Sequence, residues 1–285
     1  MVKRLQPFDV FNILLLLLFS ATVLYPFIYM ISVSLSSSAY IMRGEVTLLP
    51  KGFTTHVYET IFNSSRIVTG YKNTIMYVVF GTTISLVLTT MAAYSLARKT
   101  LVMRKQITFF IIFTMLFNGG MIPTFLVVRS IGLLDTIWAM VLPTAISAWN
   151  LFVMRTFFQG MPVELEESGN MDGLGDIGVL TRIILPLSKP VLATIGLFYG
   201  VAIWNNFFSA LLYLRDSELF PLQVVIRQLV MMGIITTEGQ NSDEMEVDQA
   251  VKFATIIIGT LPIIMTYPFL QKYFVKGVLI GSVKG

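Results

Sequence analysis

A group of acidic side chains is concentrated in one polar insert between two apolar segments. The insert, "PVELEESGNMDGLGDIGVLTRIILPLSKP" at 162–190, opens with a proline, which suits a first helical turn, and then places Glu164, Glu166 and Glu167. Carboxylates are stabilised near a helix N-terminus, where the helix dipole favours negative charge. This pattern predicts charge interactions at the start of a short helix.

The rest of the insert predicts a turn and a second helix. Gly173 can end the first helix with a residue in the left-handed conformation. The stretch "DIGVLTRIILPL" at 176–187 then forms a second short amphipathic helix, and Pro186 breaks it before the next apolar segment. We therefore expect a helix-turn-helix that projects from the apolar part of the protein.

Composition excludes most familiar catalytic chemistry. The chain has no cysteine, which excludes disulfides, thiolate metal sites and a thiol nucleophile. Its single histidine, His56, lies in a polar stretch, so neither a histidine metal cluster nor a His-dependent triad is available inside a membrane. The P-loop pattern G-x-x-x-x-G-K-[ST] does not occur, so the chain cannot bind ATP in that way. We expect that the chain is not an enzyme and that it binds neither a metal nor a cofactor.

The elements that position the insert must be membrane helices. The sequence is 55% hydrophobic and 13% charged, with a mean hydropathy of +0.77, which lies outside the range of soluble globular proteins. A helix needs roughly 20 apolar residues to cross a bilayer. We predict an all-α polytopic membrane protein forming one domain over 1–285. Its six spans lie at about 11–33, 74–96, 107–128, 137–158, 191–214 and 253–273.

The distribution of basic residues predicts the orientation of these spans. An even number of spans places both termini on one side, together with "ARKTLVMRK" at 97–105, the loop at 159–190 and the tail at 274–285. Basic residues are more frequent on that side, so we expect it to face the cytoplasm. A cleaved signal peptide is the alternative for the first span, but it would need a shorter apolar core and a clear cleavage site. The scattered basic residues do not predict a nucleic-acid surface.

The spacing within the insert resembles the EAA loop of bacterial ABC importer permeases. Glu167-Ser168-Gly169 is followed by three residues, Gly173, nine residues, Ile183, one residue and Leu185-Pro186. Ser168 and Gly169 replace the family's usual alanines; both are small, but glycine weakens a helix by about 1 kcal/mol relative to alanine. The resemblance implies a cytoplasmic coupling helix-turn-helix that docks on an ATPase subunit. The coupling residues that it implies are Glu164, Glu166, Glu167, Ser168, Gly169, Asp172, Gly173, Ile183, Leu185 and Pro186.

In the family this element sits in a groove of the ATPase subunit. The resemblance implies that Glu167 pairs with an ATPase arginine, that Asp172 and Gly173 form the turn, and that Ile183 and Leu185 anchor the element to its own helices. An interfacial helix with no partner is the alternative.

Longer stretches resemble the carbohydrate-uptake permeases related to the smaller permease of the maltose system. They are 114–158, "WNNFFSALLYL" at 204–214 and "QKYFVKGVLIGSVKG" at 271–285, and they are most similar to the branch for complex oligosaccharides such as alginate or pectin fragments. The resemblance implies that this chain is a permease subunit of a complex in the bacterial inner membrane, where it contacts membrane lipid. Its other parts are two ATPase subunits that bind ATP and Mg²⁺, a second and homologous permease, an extracytoplasmic solute-binding protein and a saccharide substrate. It also implies that the tail reaches between the ATPase subunits through Gly281, Ser282, Val283, Lys284 and Gly285.

Polar and aromatic residues in the apolar segments are the candidates for a sugar pathway, because they are costly in a bilayer unless they face a cavity or a helix bundle. Tryptophan can stack on a sugar ring, asparagine can bond its hydroxyls, and a Gly-Gly pair can loosen a helix and offer carbonyls. Tryptophan also marks membrane interfaces and asparagine also joins helices, so both interpretations stay open. The candidates are Asn118, Gly119, Gly120, Trp149, Asn150, Trp204, Asn205 and Asn206.

Two other transport functions compete with a sugar importer. A permease of the same architecture could carry a peptide, an amino acid or an ion, and the loop alone does not distinguish these. A secondary transporter should carry acidic residues inside its spans for ion coupling, and the predicted spans hold essentially none.

Overall fold

The computed structural model describes residues 6–232 and 249–282, and within these ranges the regular secondary structure is helical. The predicted all-α class is confirmed. The helices are α1 Pro7–Ser34, α2 Ser38–Met42, α3 His56–Asn63, α4 Ser65–Ala97, α5 Arg104–Leu116, α6 Met121–Ser130, α7 Ile137–Thr144, α8 Ala148–Gln159, α9 Glu164–Met171, α10 Asp176–Leu187, α11 Lys189–Trp204, α12 Phe208–Tyr213, α13 Leu222–Met232 and α14 Gln249–Ser282.

Three of these helices are long and apolar enough to cross a membrane unbroken: α1, α4 and the Gln249–Thr266 part of α14. Three further candidates are bent pairs, in which α5 and α6 meet at 117°, α7 and α8 at 54°, and α10 and α11 at 85°. Six spans result if each bent pair counts as one. The predicted number of six, and the single domain over 1–285, therefore stay predictions.

The predicted span 107–128 is broken at its centre. Asn118 Oδ1 accepts a hydrogen bond of 2.9 Å from the Gly120 N–H, and Gly120 adopts φ +91°, a conformation that side chains disfavour. The Gly120 carbonyl accepts from the Thr124 hydroxyl at 2.8 Å, so it is used in the first turn of α6. The expected loosening of the backbone at Gly-Gly is present as a sharp break between two helices.

The predicted span 191–214 also differs, because α11 ends at Trp204 and α12 is separate. Two neighbouring amides explain the break. Asn205 Nδ2 donates to the Val201 carbonyl at 2.9 Å, while Asn206 Oδ1 accepts from the Ser209 N–H at 3.2 Å, at the start of α12. Short polar side chains that bond nearby backbone in this way compete with helix continuation.

The described residues group into two compact units, one within Met1–Val68 and Val225–Pro262, the other within Thr69–Val224 and Ile263–Gly285. In the first unit, the polar segment after α1 folds back on the helix end. Ser32 Oγ donates to the Leu48 carbonyl at 2.7 Å, and Ser34 Oγ lies 2.7 Å from the Tyr58 hydroxyl. The segment after α1 is therefore held against the end of that helix, whereas 233–248 lies outside the described residues.

The second unit contains close approaches of α4 to α11 at glycines. A Cβ on Gly196 would lie 3.2 Å from Leu86, and one on Gly81 would lie 2.7 Å from Ile203. Small residues allow membrane helices to approach closely in this way. Towards the end of α4 and the start of α11, an apolar cluster joins these two helices to α8 and α10. Its members are Ala93, Tyr94, Met154, Phe158, Val179, Leu180, Ile184, Val191, Ile195 and Tyr199.

Candidate functional site

The insert folds as the expected helix-turn-helix, which here means α9, the turn 172–175 and α10. Glu164, Glu166 and Glu167 occupy the first turn of α9, as predicted from the helix dipole. Glu166 and Glu167 are adjacent, so their side chains point in directions about 100° apart on the helix. Glu167 is exposed, whereas Glu166 is half-buried against the end of α4.

The turn is a Schellman motif. Gly173 adopts φ +80°, which confirms the predicted left-handed residue. Its N–H donates to the Asn170 carbonyl at 3.0 Å, and the Leu174 N–H donates to the Gly169 carbonyl at 3.0 Å. Asp172 is the exposed C-cap residue before it.

Gly169 faces α10 and is buried between the two helices. A Cβ at this position would lie 2.7 Å from Ile183 Cδ1 and 3.0 Å from Val179 Cγ2. The glycine therefore permits close packing of α9 on α10, while its neighbour Ser168 is exposed and donates to the Leu165 carbonyl at 3.1 Å. The roles of both residues at a partner surface stay predictions.

The second helix is less regular than predicted. Its central residues Leu180–Ile184 form a π-helix, and it continues through Pro186 to Leu187, so the expected break at Pro186 is displaced. Pro186 lies in the first turn of the segment Leu185–Leu187, where a missing N–H is tolerated. The chain turns instead at buried Ser188, whose Oγ donates to the Ile184 carbonyl at 2.7 Å. Leu185 packs on the apolar cluster.

Arg98, the residue directly after α4, joins the helix-turn-helix to α4. Its Nη1 donates to Asp176 Oδ1 at 2.5 Å, and its Nε lies 3.6 Å from Glu166 Oε2. Burial of the guanidinium lowers the pKa of Arg98, but the hydrogen bonds that it donates to Asp176 and Tyr94 and the charge of Glu166 outweigh this effect and hold the pKa above its usual value. In the sequence, Arg98 indicates only topology, as part of "ARKTLVMRK"; its spacing of four residues from Tyr94 is the one local signal of this contact.

A groove between α8 and α11 brings together part of the predicted sugar pathway. Its volume is about 480 Å³, which is within the range of ligand pockets. Trp149 is 64% exposed at the groove, whereas Asn150 is only 6% exposed. The polar and aromatic residues that line it include Thr144, Ser147, Trp149, Asn150, Tyr199 and Asn206.

The wall of this groove is fixed by hydrogen bonds. The Tyr199 hydroxyl lies 2.7 Å from Thr89 Oγ1 and accepts from the Ser147 N–H at 2.9 Å. Ser147 Oγ in turn accepts from the Asn150 N–H at 3.4 Å at the start of α8. The groove therefore presents amide and hydroxyl groups beside an exposed indole ring, which is the combination that suits a hydroxylated ring-shaped ligand.

The remaining pathway candidates lie elsewhere. Trp204 is buried, with its ring 6.2 Å from the Tyr71 ring, so it does not line the groove. Asn118, Gly119 and Gly120 form the break between α5 and α6. Of the predicted tail, Gly281 and Ser282 end α14, whereas Val283, Lys284 and Gly285 lie outside the described residues.

Comparison with known proteins covers nearly the whole chain. Residues 85–280 match the family model of the binding-protein-dependent transport system inner membrane component. The chain is 48% identical to Protein LplC of Bacillus subtilis (strain 168), over 99% of this chain and 97% of that protein. It is 44% identical to the polygalacturonan/rhamnogalacturonan transport system permease protein YtcP of the same organism, over 98% of each.

A solved structure is also similar. It is a crystal structure of a bacterial ABC transporter involved in the import of the acidic polysaccharide alginate, in which one chain is 38% identical with a TM-score of 0.88, over 94% of this chain and 96% of that one. The range matched by the family model includes both the helix-turn-helix and the groove.

Proposed function

Because the chain belongs to the family of binding-protein-dependent transport system inner membrane components, we propose that its helix-turn-helix couples it to an ATPase subunit. The observation that carries this proposal is the exposed tip of the element. Met171 and Ile177 are 89% and 77% exposed, and Glu167 and Asp172 are exposed close to them in sequence. Exposed apolar side chains beside carboxylates fit a partner groove with an apolar floor and a basic residue at its edge.

The proposed complex contains this chain, a second homologous permease subunit, two ATPase subunits and an extracytoplasmic solute-binding protein. ATP and Mg²⁺ bind to the ATPase subunits. When those subunits close on ATP, the helix-turn-helix moves with them and the permease alternates between its two access states. The side that carries the helix-turn-helix and both termini is the cytoplasmic one, and six spans cross the bacterial inner membrane.

The substrate we propose is an oligosaccharide. YtcP is named as a permease for polygalacturonan and rhamnogalacturonan, and the similar solved structure is a transporter involved in the import of the acidic polysaccharide alginate. The groove adds a physical argument, since Trp149 supplies a stacking face and Asn150 and Asn206 supply amides. We place a sugar ring of the passing substrate against this groove.

The experiment uses the complete complex in liposomes, prepared with wild type and with Glu167→Arg. ATP hydrolysis is measured with binding protein loaded with alginate or pectin oligosaccharides, with a short peptide, or with nothing. We expect stimulation by one loaded oligosaccharide, and loss of both stimulation and ATPase co-purification in the variant. The control is Glu59→Arg, an equal charge reversal at an exposed carboxylate of α3, which should leave co-purification intact.

Each outcome decides one part of the proposal. Normal assembly and stimulation of the Glu167→Arg complex would contradict the coupling role of the helix-turn-helix. Stimulation by the peptide alone would contradict the sugar assignment and leave the coupling role standing.

A further inference from the structure

We propose that Arg98 is a positioning residue for transport, because it holds α9 and α10 to the end of α4 so that the three helices move together. This inference rests on the proposed coupling function. It assigns the path by which a displacement of the helix-turn-helix reaches a long membrane-spanning helix.

Arg98 contacts all three helices at once. It donates to Asp176 at the start of α10, lies 3.6 Å from Glu166 in the first turn of α9, and lies over the Tyr94 ring in the last turn of α4, with 4.7 Å between the guanidinium carbon and the ring centre. Its Nη2 also donates to the Tyr94 hydroxyl. Arginine suits this position because its planar fork can bond one carboxylate, face a second and stack on a ring at the same time.

Apolar packing also joins α4 to α10, but it does not duplicate the contact that Arg98 makes with α9. The cluster that joins α4, α8, α10 and α11 includes Val179, Leu180 and Ile184 of α10, but no described residue of α9. Glu166 belongs to α9 and lies 3.6 Å from Arg98, so this ion pair links α9 directly to the end of α4. A force applied at Glu167 of α9 therefore reaches α4 either directly through Glu166 and Arg98, or indirectly through the packing of Gly169 on α10.

The junction is also not sealed by tight packing. A groove of about 440 Å³ opens beside it, lined by Arg98, Tyr94, Thr100, Val102, Asp176 and Ile177. At the edge of this groove, the bond from Arg98 to Asp176 adds to the apolar packing of Val179 and Leu180 that joins α10 to α4. The Arg98 and Glu166 side chains are only 19% and 30% exposed, so this ion pair is less screened by solvent than a pair on a free surface, whereas Asp176 is 73% exposed.

The test measures oligosaccharide transported per ATP hydrolysed in the liposome complex. Variants are Arg98→Gln, Arg98→Lys and the matched control Lys99→Gln, which removes the charge of the adjacent exposed cation. We expect Arg98→Gln to co-purify with the ATPase and to lower the ratio by about fivefold or more, which is the lower end of typical coupling between sites. Arg98→Lys should recover part of the ratio, and Lys99→Gln should match wild type.

A second pair of variants covers the case in which Arg98→Gln does not assemble. Glu166→Gln and Asp176→Asn each remove one charge while keeping Arg98. Glu166→Gln should lower the ratio more, because α9 has no share in the apolar cluster. The inference is overturned if assembled Arg98→Gln transports as efficiently as Lys99→Gln, or if both carboxylate variants do.

These outcomes differ from failure of the proposed function. If the wild-type complex shows no stimulation, or Glu167→Arg assembles normally, the coupling proposal itself is wrong. If Glu167→Arg loses the ATPase while Arg98→Gln behaves as wild type, only the role of Arg98 is wrong.

Discussion

The Tyr94 ring and the Arg98 guanidinium lie one helical turn apart, with 4.7 Å between the ring centre and the guanidinium carbon and a hydrogen bond from Nη2 to the phenol oxygen. Tyr94 is 6% exposed and belongs to the apolar cluster, so packing against that cluster fixes the position of its ring. Because Tyr94 is fixed by the core and contacts Arg98, the guanidinium is held in position to face Glu166 and Asp176 of the helix-turn-helix.

The first prediction separates the hydroxyl of Tyr94 from its ring. Tyr94→Phe keeps the stacking surface but removes the hydrogen bond, and we expect a loss of about 1 kcal/mol in stability. In an Arg98→Gln background the same change should cost much less, because the bond has lost its charged donor. The measurement is a double-mutant cycle on the heat stability of the detergent-solubilised complex. Equal costs in both backgrounds would show that the phenol and the guanidinium do not interact.

The second prediction concerns the Schellman turn. Gly173→Ala places a Cβ on a residue at φ +80° and should destabilise the turn by about 1 kcal/mol, since the left-handed conformation is strained for alanine. Gly173→Asn should cost less, because asparagine tolerates this region. Heat stability and hydrogen exchange at the Leu174 amide report the change. Gly175→Ala is the control, as Gly175 has φ −75° and open space around its Cβ position, so a comparable loss there would refute the conformational explanation.

The third prediction is a coupling between Gly169 and Ile183. Gly169→Ala gains about 1 kcal/mol of helix propensity but places a methyl group 2.7 Å from Ile183 Cδ1, so the single variant should gain little or lose stability. Ile183→Val removes that Cδ1 atom. We therefore expect the double variant to be more stable than the sum of the single changes, by about 0.5 kcal/mol or more.

The matched control for this cycle is Gly175→Ala combined with Ile183→Val. Gly175 has no heavy atom within 4 Å of its Cβ position, so the two changes should be additive. Additivity in the Gly169 cycle as well would mean that α9 and α10 separate enough to accommodate the methyl group.

Local signals in the sequence were sufficient for the turn but not for the contacts that hold it. Gly173, the first-turn carboxylates and the second helix follow from backbone preferences and the helix dipole, which act within a few residues. Arg98 could not be placed, because its partners Glu166 and Asp176 lie 68 and 78 residues further along the chain and are brought together only by packing.

The polar candidates show a second limit of the sequence. Trp149 and Trp204 are both followed by asparagine, yet Trp149 is exposed at a groove and Trp204 is buried. Which of two similar motifs faces a groove depends on helix rotation, and the low periodicity of membrane helices that are apolar all round gives little information on that rotation. The helix break at 205–207 was missed, and the one at 117–120 was expected only as a loosening at Gly-Gly, because apolar length dominated the expectation of unbroken spans.

The fourth prediction concerns the pH dependence of the loop at Asp135. Asp135 Oδ1 accepts from the Arg215 N–H at 2.6 Å and the Asp216 N–H at 2.9 Å, and these bonds hold the pKa of Asp135 below its usual value. A lowered folded pKa contributes stability above the usual carboxyl pKa, and this stability is lost as pH falls through the folded value. Asp135→Asn keeps an acceptor and tolerance of the observed φ +60° but removes the charge.

We therefore expect wild type to exceed Asp135→Asn in heat stability by a constant amount between pH 5 and pH 8, and the difference to shrink below about pH 4. The measurement is the temperature at which half of the complex stays soluble in detergent, across this pH range. A difference that grows on acidification would contradict the assigned sign.

The fifth prediction concerns Trp149 and the nature of the substrate. If a sugar ring stacks on the exposed indole, Trp149→Ala should weaken transport at low substrate by about fivefold, corresponding to roughly 1 kcal/mol of aromatic contact. Trp149→Phe keeps an aromatic face and should retain most of the activity. Uptake of labelled oligosaccharide into liposomes, at substrate levels below and above saturation, gives the change in apparent affinity.

Trp138 provides the matched control for this substitution. It is also a largely exposed tryptophan, at 47%, but it lies in α7 and does not line the groove. If both tryptophans only anchor the protein in the membrane, Trp149→Ala and Trp138→Ala should have similar effects, and these effects should be on assembly and on the maximal rate. A selective loss of apparent affinity in Trp149→Ala, recovered in Trp149→Phe and absent in Trp138→Ala, would place the sugar at the groove, whereas equal effects would assign Trp149 to the lipid interface.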